Sequence, residues 1–185
     1  MTSQRGWSTL ENLYLRNESI PLEFVVDPKS SKFYRGMPDD ALKSIRTKNM
    51  TFNYHMYGVS PQTYKEDPEL SSFWDVLTVN KDKDDKLFVS SIEAKKYPIF
   101  ATLYHPEKVQ TIFQGAKLNI NINHSWESIG VSHYFSRFFV SMARGNRHSF
   151  ENSELELSDL LIENHKLFKT PPTDEEEELG HIYVF

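Results

Sequence analysis

The 185 residues carry 26 acidic and 21 basic side chains for a formal charge of -5, and 38% of them are hydrophobic, 14% aromatic. That balance predicts one globular domain, residues 1–185, and argues against a nucleic-acid partner, which would require clustered Lys and Arg. No apolar run approaches the roughly 20 residues that span a bilayer, so no membrane span is expected.

In chain order, Leu10 to Leu15 and Leu22 to Val26 read as short strands, closed off by the Asp27-Pro28 break. Met37 to Ile45 reads as a helix with Asp39 and Asp40 in its first turn, where carboxylates complement the helix dipole. Val76 to Val79 and Leu87 to Glu93, joined by the charged connection Lys81 to Asp85, read as a hairpin. The next run, Pro98 to Tyr104, is nearly continuous in apolar character and is expected to be a strand buried on both faces. From Val131, the positions Tyr134, Phe135, Phe138, Phe139, Met142 and Ala143 follow helical spacing and predict an aromatic core stripe ending near Gly145. A shorter helix is expected over Leu155 to Ile162, an acidic loop over 172–180 that includes Asp174 to Glu178, and a last strand over Ile182 to Phe185.

His105-Pro106-Glu107 is the tripeptide with the most chemistry in it. Proline disfavours the helical region for the residue before it, so the segment reads as extended, with His105 and Glu107 projecting to one side. An imidazole beside a carboxylate is a general base with an orienting partner. The nucleophile that would complete a triad is not evident: the chain has no cysteine, and none of its seven glycines brackets a serine as a nucleophile elbow would. Zero cysteines also exclude disulfides and Cys-ligated zinc from within the chain, and no metal-ligand spacing appears among His124, His133, His148, His165 and His181, which read as surface or helix-end residues.

The stretch Glu93 to Lys108, in which Tyr97-Pro98 leads a strand into His105-Pro106-Glu107-Lys108, resembles the γ-glutamyl hydrolases. Phe73 to Asn80 before it and Phe138 to Phe150 after it look like that family's neighbouring strand and long helix, so that the likeness runs from about Leu10 to the end. Leu103-Tyr104 stands where the family commonly has Gln-Trp. The resemblance implies an α/β fold of the class I glutamine-amidotransferase-like type, a three-layer, flavodoxin-like sheet flanked by helices, here without its amino-terminal half. It implies a cysteine-type omega peptidase that cleaves γ-glutamyl bonds of folate poly-γ-glutamates, with His105 and Glu107 catalytic, His55 of Asn53-Tyr54-His55 binding substrate, and no cofactor or metal. This chain would supply the base arm but no nucleophile. The alternative is an inactive, truncated paralogue that binds γ-glutamyl ligands or a partner chain.

Implied partners are the folate polyglutamate and either a second copy or a complementing amino-terminal half, because the sheet's apolar strand edges would otherwise be exposed and the isolated chain marginal. The family likeness also implies a secreted or lysosomal glycoprotein. Sequons stand at Asn17, Asn49 and Asn123, while the first residues do not read as a signal peptide.

Overall fold

A computed structural model describes residues 3–113, 121–149, 164–169 and 181–184. The chain falls into two compact units, Met1–Met142 and Ala143–Phe185. The first unit holds the His105 region.

It begins with a long strand β1 (Glu11–Ile20), a two-residue strand β2 (Glu23–Phe24) and helix α1 (Asp39–Thr47), followed by strand β3 (Thr51–Gly58). Two six-residue helices come next, α2 (Pro61–Glu66) and α3 (Pro68–Phe73). Each starts on proline and is capped from the preceding residue, Ser60 Oγ accepting from the Thr63 amide and Asp67 Oδ1 from those of Glu69 and Leu70. Strands β4 (Trp74–Lys81), β5 (Leu87–Ala94) and β6 (Phe100–Thr102) follow, then a single turn α4 (Lys108–Thr111) and the long helix α5 (Trp126–Arg144).

Every described ladder is antiparallel, so the protein is mixed α/β with antiparallel sheets. β1 pairs with β3, and a second sheet runs in the order β2-β4-β5-β6. The hairpin β4–β5 matches the sequence expectation. The doubly buried strand over Pro98 to Tyr104 does not: β6 is three residues long, Ala101 is exposed, and Tyr97 and Ile99 stand 55% and 46% exposed. Its apolar run is divided between a short edge strand and the inward-turned Tyr104, because an edge position offers only one packed face.

The main core joins Phe33, Tyr34, Met37, Ile45, Leu77 and Tyr104 to Val131 and Phe135 of α5. Phe33 alone packs its ring on those of Phe100, Phe135 and Phe138 within 5.5 Å. The buried positions of α5 are Ser128, Val131, Ser132 and Phe135, with Tyr134 and Phe138 half-buried, whereas Phe139 is 72% and Met142 40% exposed. The expected stripe is therefore displaced towards the helix start. Positions up to Phe138 meet the core, whereas Phe139 and Met142 are exposed.

A second cluster, Leu13, Leu15 and Phe88 with Ile20 and Leu103, ties β1 to β5, and a third gathers Phe52, Val109 and Ile122. No described helix is long and apolar enough to cross a membrane. In the second unit, β7 (Lys166–Lys169) pairs antiparallel with β8 (His181–Val184), which realises the expected final strand. The expected helix over Leu155 to Ile162 and the acidic loop over 172–180 lie outside the described residues.

Candidate active site

The segment after β6 passes from one sheet to the other. The Leu103 amide donates to Ser90 O of β5 at 2.8 Å, and two residues later the His105 amide donates to Phe52 O of β3, also at 2.8 Å. Leu103 and Tyr104 both turn into apolar clusters, so neither faces the His105 side chain's solvent-open side.

His105 Nδ1 lies 2.9 Å from Glu107 Oε1, with the two side chains 29% and 60% exposed. The pair forms, but not by the extended geometry expected from sequence. Glu107 is helical, at φ -65° and ψ -34°, and stands immediately before α4. The turn after Pro106 brings the carboxylate back under the imidazole, and Glu107 O is held in turn by the Thr111 hydroxyl at 2.9 Å.

A carboxylate only accepts, so a neutral His105 bonded to it carries its proton on Nδ1 and leaves Nε2 as the basic atom. Burial pushes the Glu107 carboxyl up, but the hydrogen bond from His105 and the positive charge of Lys108 outweigh it, and the group sits below its ordinary value. It is therefore ionised near neutrality.

β3 brings His55 against this pair. Its ring stacks on that of His105, 5.0 Å between centroids and 19° between planes. Burial, assisted by the nearby His105 and Lys108, lowers the His55 imidazole from 6.5 to about 4, against the opposing pull of Glu107. His55 Nε2 is buried and has no hydrogen-bond partner. Lys108 Nζ lies over the rings of Phe52 and Tyr54, 5.4 and 5.7 Å from their centroids. Asn53, by contrast, is a core residue: it is 1% exposed and its amide donates back to Thr51 O.

His124 packs on Phe113 and bonds Val109 O through Nδ1, so it braces the loop before α5, and His133 and His148 are exposed. Among the described residues no three His, Cys, Asp or Glu side chains converge as a metal site. Of the sequons, Asn49 is exposed, whereas Asn17 and Asn123 are half-buried; Asn17 Oδ1 accepts from the Asn121 amide and Asn123 Nδ2 donates to Asn49 O. A surface hollow of about 510 Å³ lies along α1, lined by Asp27, Pro28, Asp39 and Thr47 among others.

Two further residues shape the site. Ser132 of α5, 2% exposed, donates its hydroxyl to Pro106 O, and Gln110 Nε2 donates to Ser132 Oγ at 2.7 Å. The sequence signal for Ser132 was a serine row at 128, 132 and 136, four residues apart on a helix otherwise read for its aromatics; none pointed to Gln110.

Fold and site together define a mixed α/β protein that presents a histidine–carboxylate pair, with a second histidine stacked on it, where two antiparallel sheets meet. Sequence comparison gives the lineage. The chain is 40% identical over 143 residues to γ-glutamyl hydrolase of Rattus norvegicus, covering 77% of this chain and 44% of that protein. It is 31% identical over 180 residues to γ-glutamyl hydrolase B of Dictyostelium discoideum, 97% of this chain and 50% of that one, and 35% identical over 154 residues to the probable γ-glutamyl hydrolase 3 of Arabidopsis thaliana, 82% and 42%. No family model matches. The chain belongs to the γ-glutamyl hydrolase family, matching a partial, carboxyl-terminal region of its members, and spans about half the length of the curated relatives.

Proposed function

We propose that this chain supplies the general base, its orienting carboxylate and a substrate contact for hydrolysis of γ-glutamyl bonds in folate poly-γ-glutamates. The observation that carries the reading is the 2.9 Å His105–Glu107 pair, seated in a region whose relatives are γ-glutamyl hydrolases. In this reading His105 Nε2 takes the proton of a thiol brought by a polypeptide segment outside these 185 residues. The thiolate adds to the γ-amide carbonyl carbon. As the carbon–nitrogen bond breaks, His105 returns the proton to the leaving amine. Water, deprotonated by His105, then cleaves the thioester, releasing the γ-carboxylate and restoring the thiol. Glu107 fixes the Nδ1–H tautomer and stabilises the imidazolium in both halves. His55, neutral because buried, is the second active-site histidine and contacts the substrate. The fold we assign to the complete assembly is the three-layer class I glutamine-amidotransferase type, with the nucleophile elbow and oxyanion donors on the complementing part.

One observation favours a second reading. The chain holds no cysteine, and without a thiol the covalent route is closed, leaving a module that binds γ-glutamyl ligands or a partner without turnover. The two are separated by assaying glutamate release from a folate polyglutamate, with the chain alone and with the nucleophile-bearing half of a relative added in trans. Turnover only in the mixture, lost in His105→Ala and reduced in Glu107→Gln, supports the base-arm reading. Ligand binding with no turnover in either sample supports the second. Turnover by the chain alone would overturn the claim that the nucleophile comes from elsewhere.

A further inference from the structure

The tripeptide that carries the pair is held at successive backbone groups by different elements. At its start, the His105 amide is bonded to Phe52 O of β3. At its end, Glu107 O accepts the Thr111 hydroxyl of α4. Between them lies Pro106, which has no amide to anchor; the Pro106–Glu107 peptide plane carries the Glu107 amide, which bonds Glu107's own carboxylate, and the Pro106 carbonyl. That carbonyl accepts from Ser132 of α5.

Ser132 is itself constrained. Its hydroxyl proton is committed to Pro106 O and its oxygen receives Gln110 Nε2, which reaches on to Ser136 Oγ at 3.3 Å. The result is a relay from α4 through α5 into the Pro106–Glu107 peptide, the plane whose rotation would swing Glu107 away from His105. A hydroxyl at 2% exposure has little water to exchange with, so its bonds constrain the turn more than surface contacts do.

We propose that Ser132, braced by Gln110, is a positioning residue for the His105–Glu107 pair, setting the peptide plane that places the carboxylate on Nδ1. It rests on the reading of His105 and Glu107 as base and orienter. The geometric tolerance of such pairs is small, about 0.5 Å, which is why a buried bond one peptide away matters. Nothing in the aromatic periodicity of α5 demands a serine at this position; alanine would suit the helix better.

The charged and titratable groups around the Glu107 carboxylate are His105, His55 and Lys108, and its ionisation reports their distance. The test is a carboxyl-carbon NMR titration of Glu107 in the 185-residue chain, beside His105→Ala, Ser132→Ala, Ser132→Thr and Gln110→Ala. His105→Ala should raise the midpoint by removing the donor. Ser132→Ala should raise it part of the way with the amide spectrum otherwise preserved, Gln110→Ala should raise it less, and Ser132→Thr, which keeps the hydroxyl, should leave it in place. Gln110→Ala alters no buried apolar contact of α5, so it remains informative if Ser132→Ala unfolds. Wild-type midpoints in both Ser132→Ala and Gln110→Ala would overturn the positioning role while leaving the base-arm reading intact. An unmoved midpoint in His105→Ala would overturn the pairing itself, and this proposal with it.

Discussion

The rings of His55 and His105 are stacked 5.0 Å apart, one on a strand and one on the turn after another, and burial lowers the His55 imidazole. Burial, assisted by the nearby His105 and Lys108, holds His55 near 4, against 6.5 in the unfolded chain. Between those values the unfolded state binds more protons than the folded one, so stability rises with pH through that window. The contribution is complete above 6.5 and is lost as pH falls towards 4. Denaturation of His55→Gln should show a flatter acid limb, the difference from wild type being roughly 1–2 kcal/mol after allowance for the site's partial exposure. Parallel acid limbs would show that His55 is not held neutral.

The hairpin turn between β4 and β5 depends on one carboxylate. Asp82 Oδ1 accepts from the amides of Asp84 and Lys86, and Oδ2 accepts from Tyr14 of β1, each at 2.9 Å. Burial raises the Asp82 carboxyl, but the three amide bonds and Lys86 more than offset that and hold it below 3.8. Its stabilising effect is therefore present above the ordinary aspartate value and lost as pH falls through the lower, folded one. Asp82→Ala should cost about 2–3 kcal/mol at neutral pH, and Asp82→Asn, which keeps one acceptor, about half as much. Urea denaturation at pH 7 and pH 3 checks both magnitude and sign, since the penalty should shrink at the lower pH.

Much of the site was readable in sequence because its chemistry is local. His105 and Glu107 are two residues apart, and proline between them restricts the backbone whatever the tertiary context. What the sequence did not reveal was the route by which they meet: a turn into α4 rather than an extended strand. The β4–β5 hairpin was legible from apolar runs around a charged turn. Strand β3 was not, since Thr51 to Gly58 mixes Asn, His and Tyr without alternation and gains its conformation from pairing with β1. Ser132 lies 26 residues from Pro106 in sequence, and only the folded chain places its hydroxyl on that carbonyl.

Gly58, at the end of β3, packs against Leu13 of β1. A Cβ there would lie 2.3 Å from Leu13 Cδ1 and 3.2 Å from its Cγ, with Leu103 Cδ2 at 3.5 Å beyond. Leu13 is 8% exposed and packs in the cluster of Leu15 and Phe88, so it has little room to withdraw. Gly58→Ala should destabilise by about 1–3 kcal/mol through overpacking. Leu13→Ala alone should cost about 2–5 kcal/mol by leaving a cavity, but the double variant should cost less than the sum, because the new methyl enters the space the leucine vacates. Strict additivity in thermal or urea denaturation would mean that the two positions do not meet.

A buried ladder of hydroxyls joins Tyr34, Tyr104, Ser91 and Thr78. Tyr34 OH bonds both Tyr104 OH and Ser91 Oγ at 2.9 Å, and Ser91 Oγ meets Thr78 Oγ1 at 2.6 Å, all four residues being 2% exposed or less. Burial pushes the Tyr34 phenol up to about 12 and Tyr104 well above 10.0, so both stay protonated and keep a donor for the ladder. Tyr34 is the hub. Tyr34→Phe strands partners on two sides and should cost about 1–3 kcal/mol, whereas Tyr104→Phe, which frees only one neighbour, should cost about 1 kcal/mol. Because the two hydroxyls share one bond, the double variant should again fall short of the sum, by about 0.5–1 kcal/mol. Tyr104 is also the residue before His105, so its loss should speed exchange of the His105 amide that bonds to Phe52 O, measured by hydrogen-exchange NMR, more than loss of Tyr34 does. Equal protection of that amide in both variants would show that the ladder stabilises the core without steadying the turn at His105.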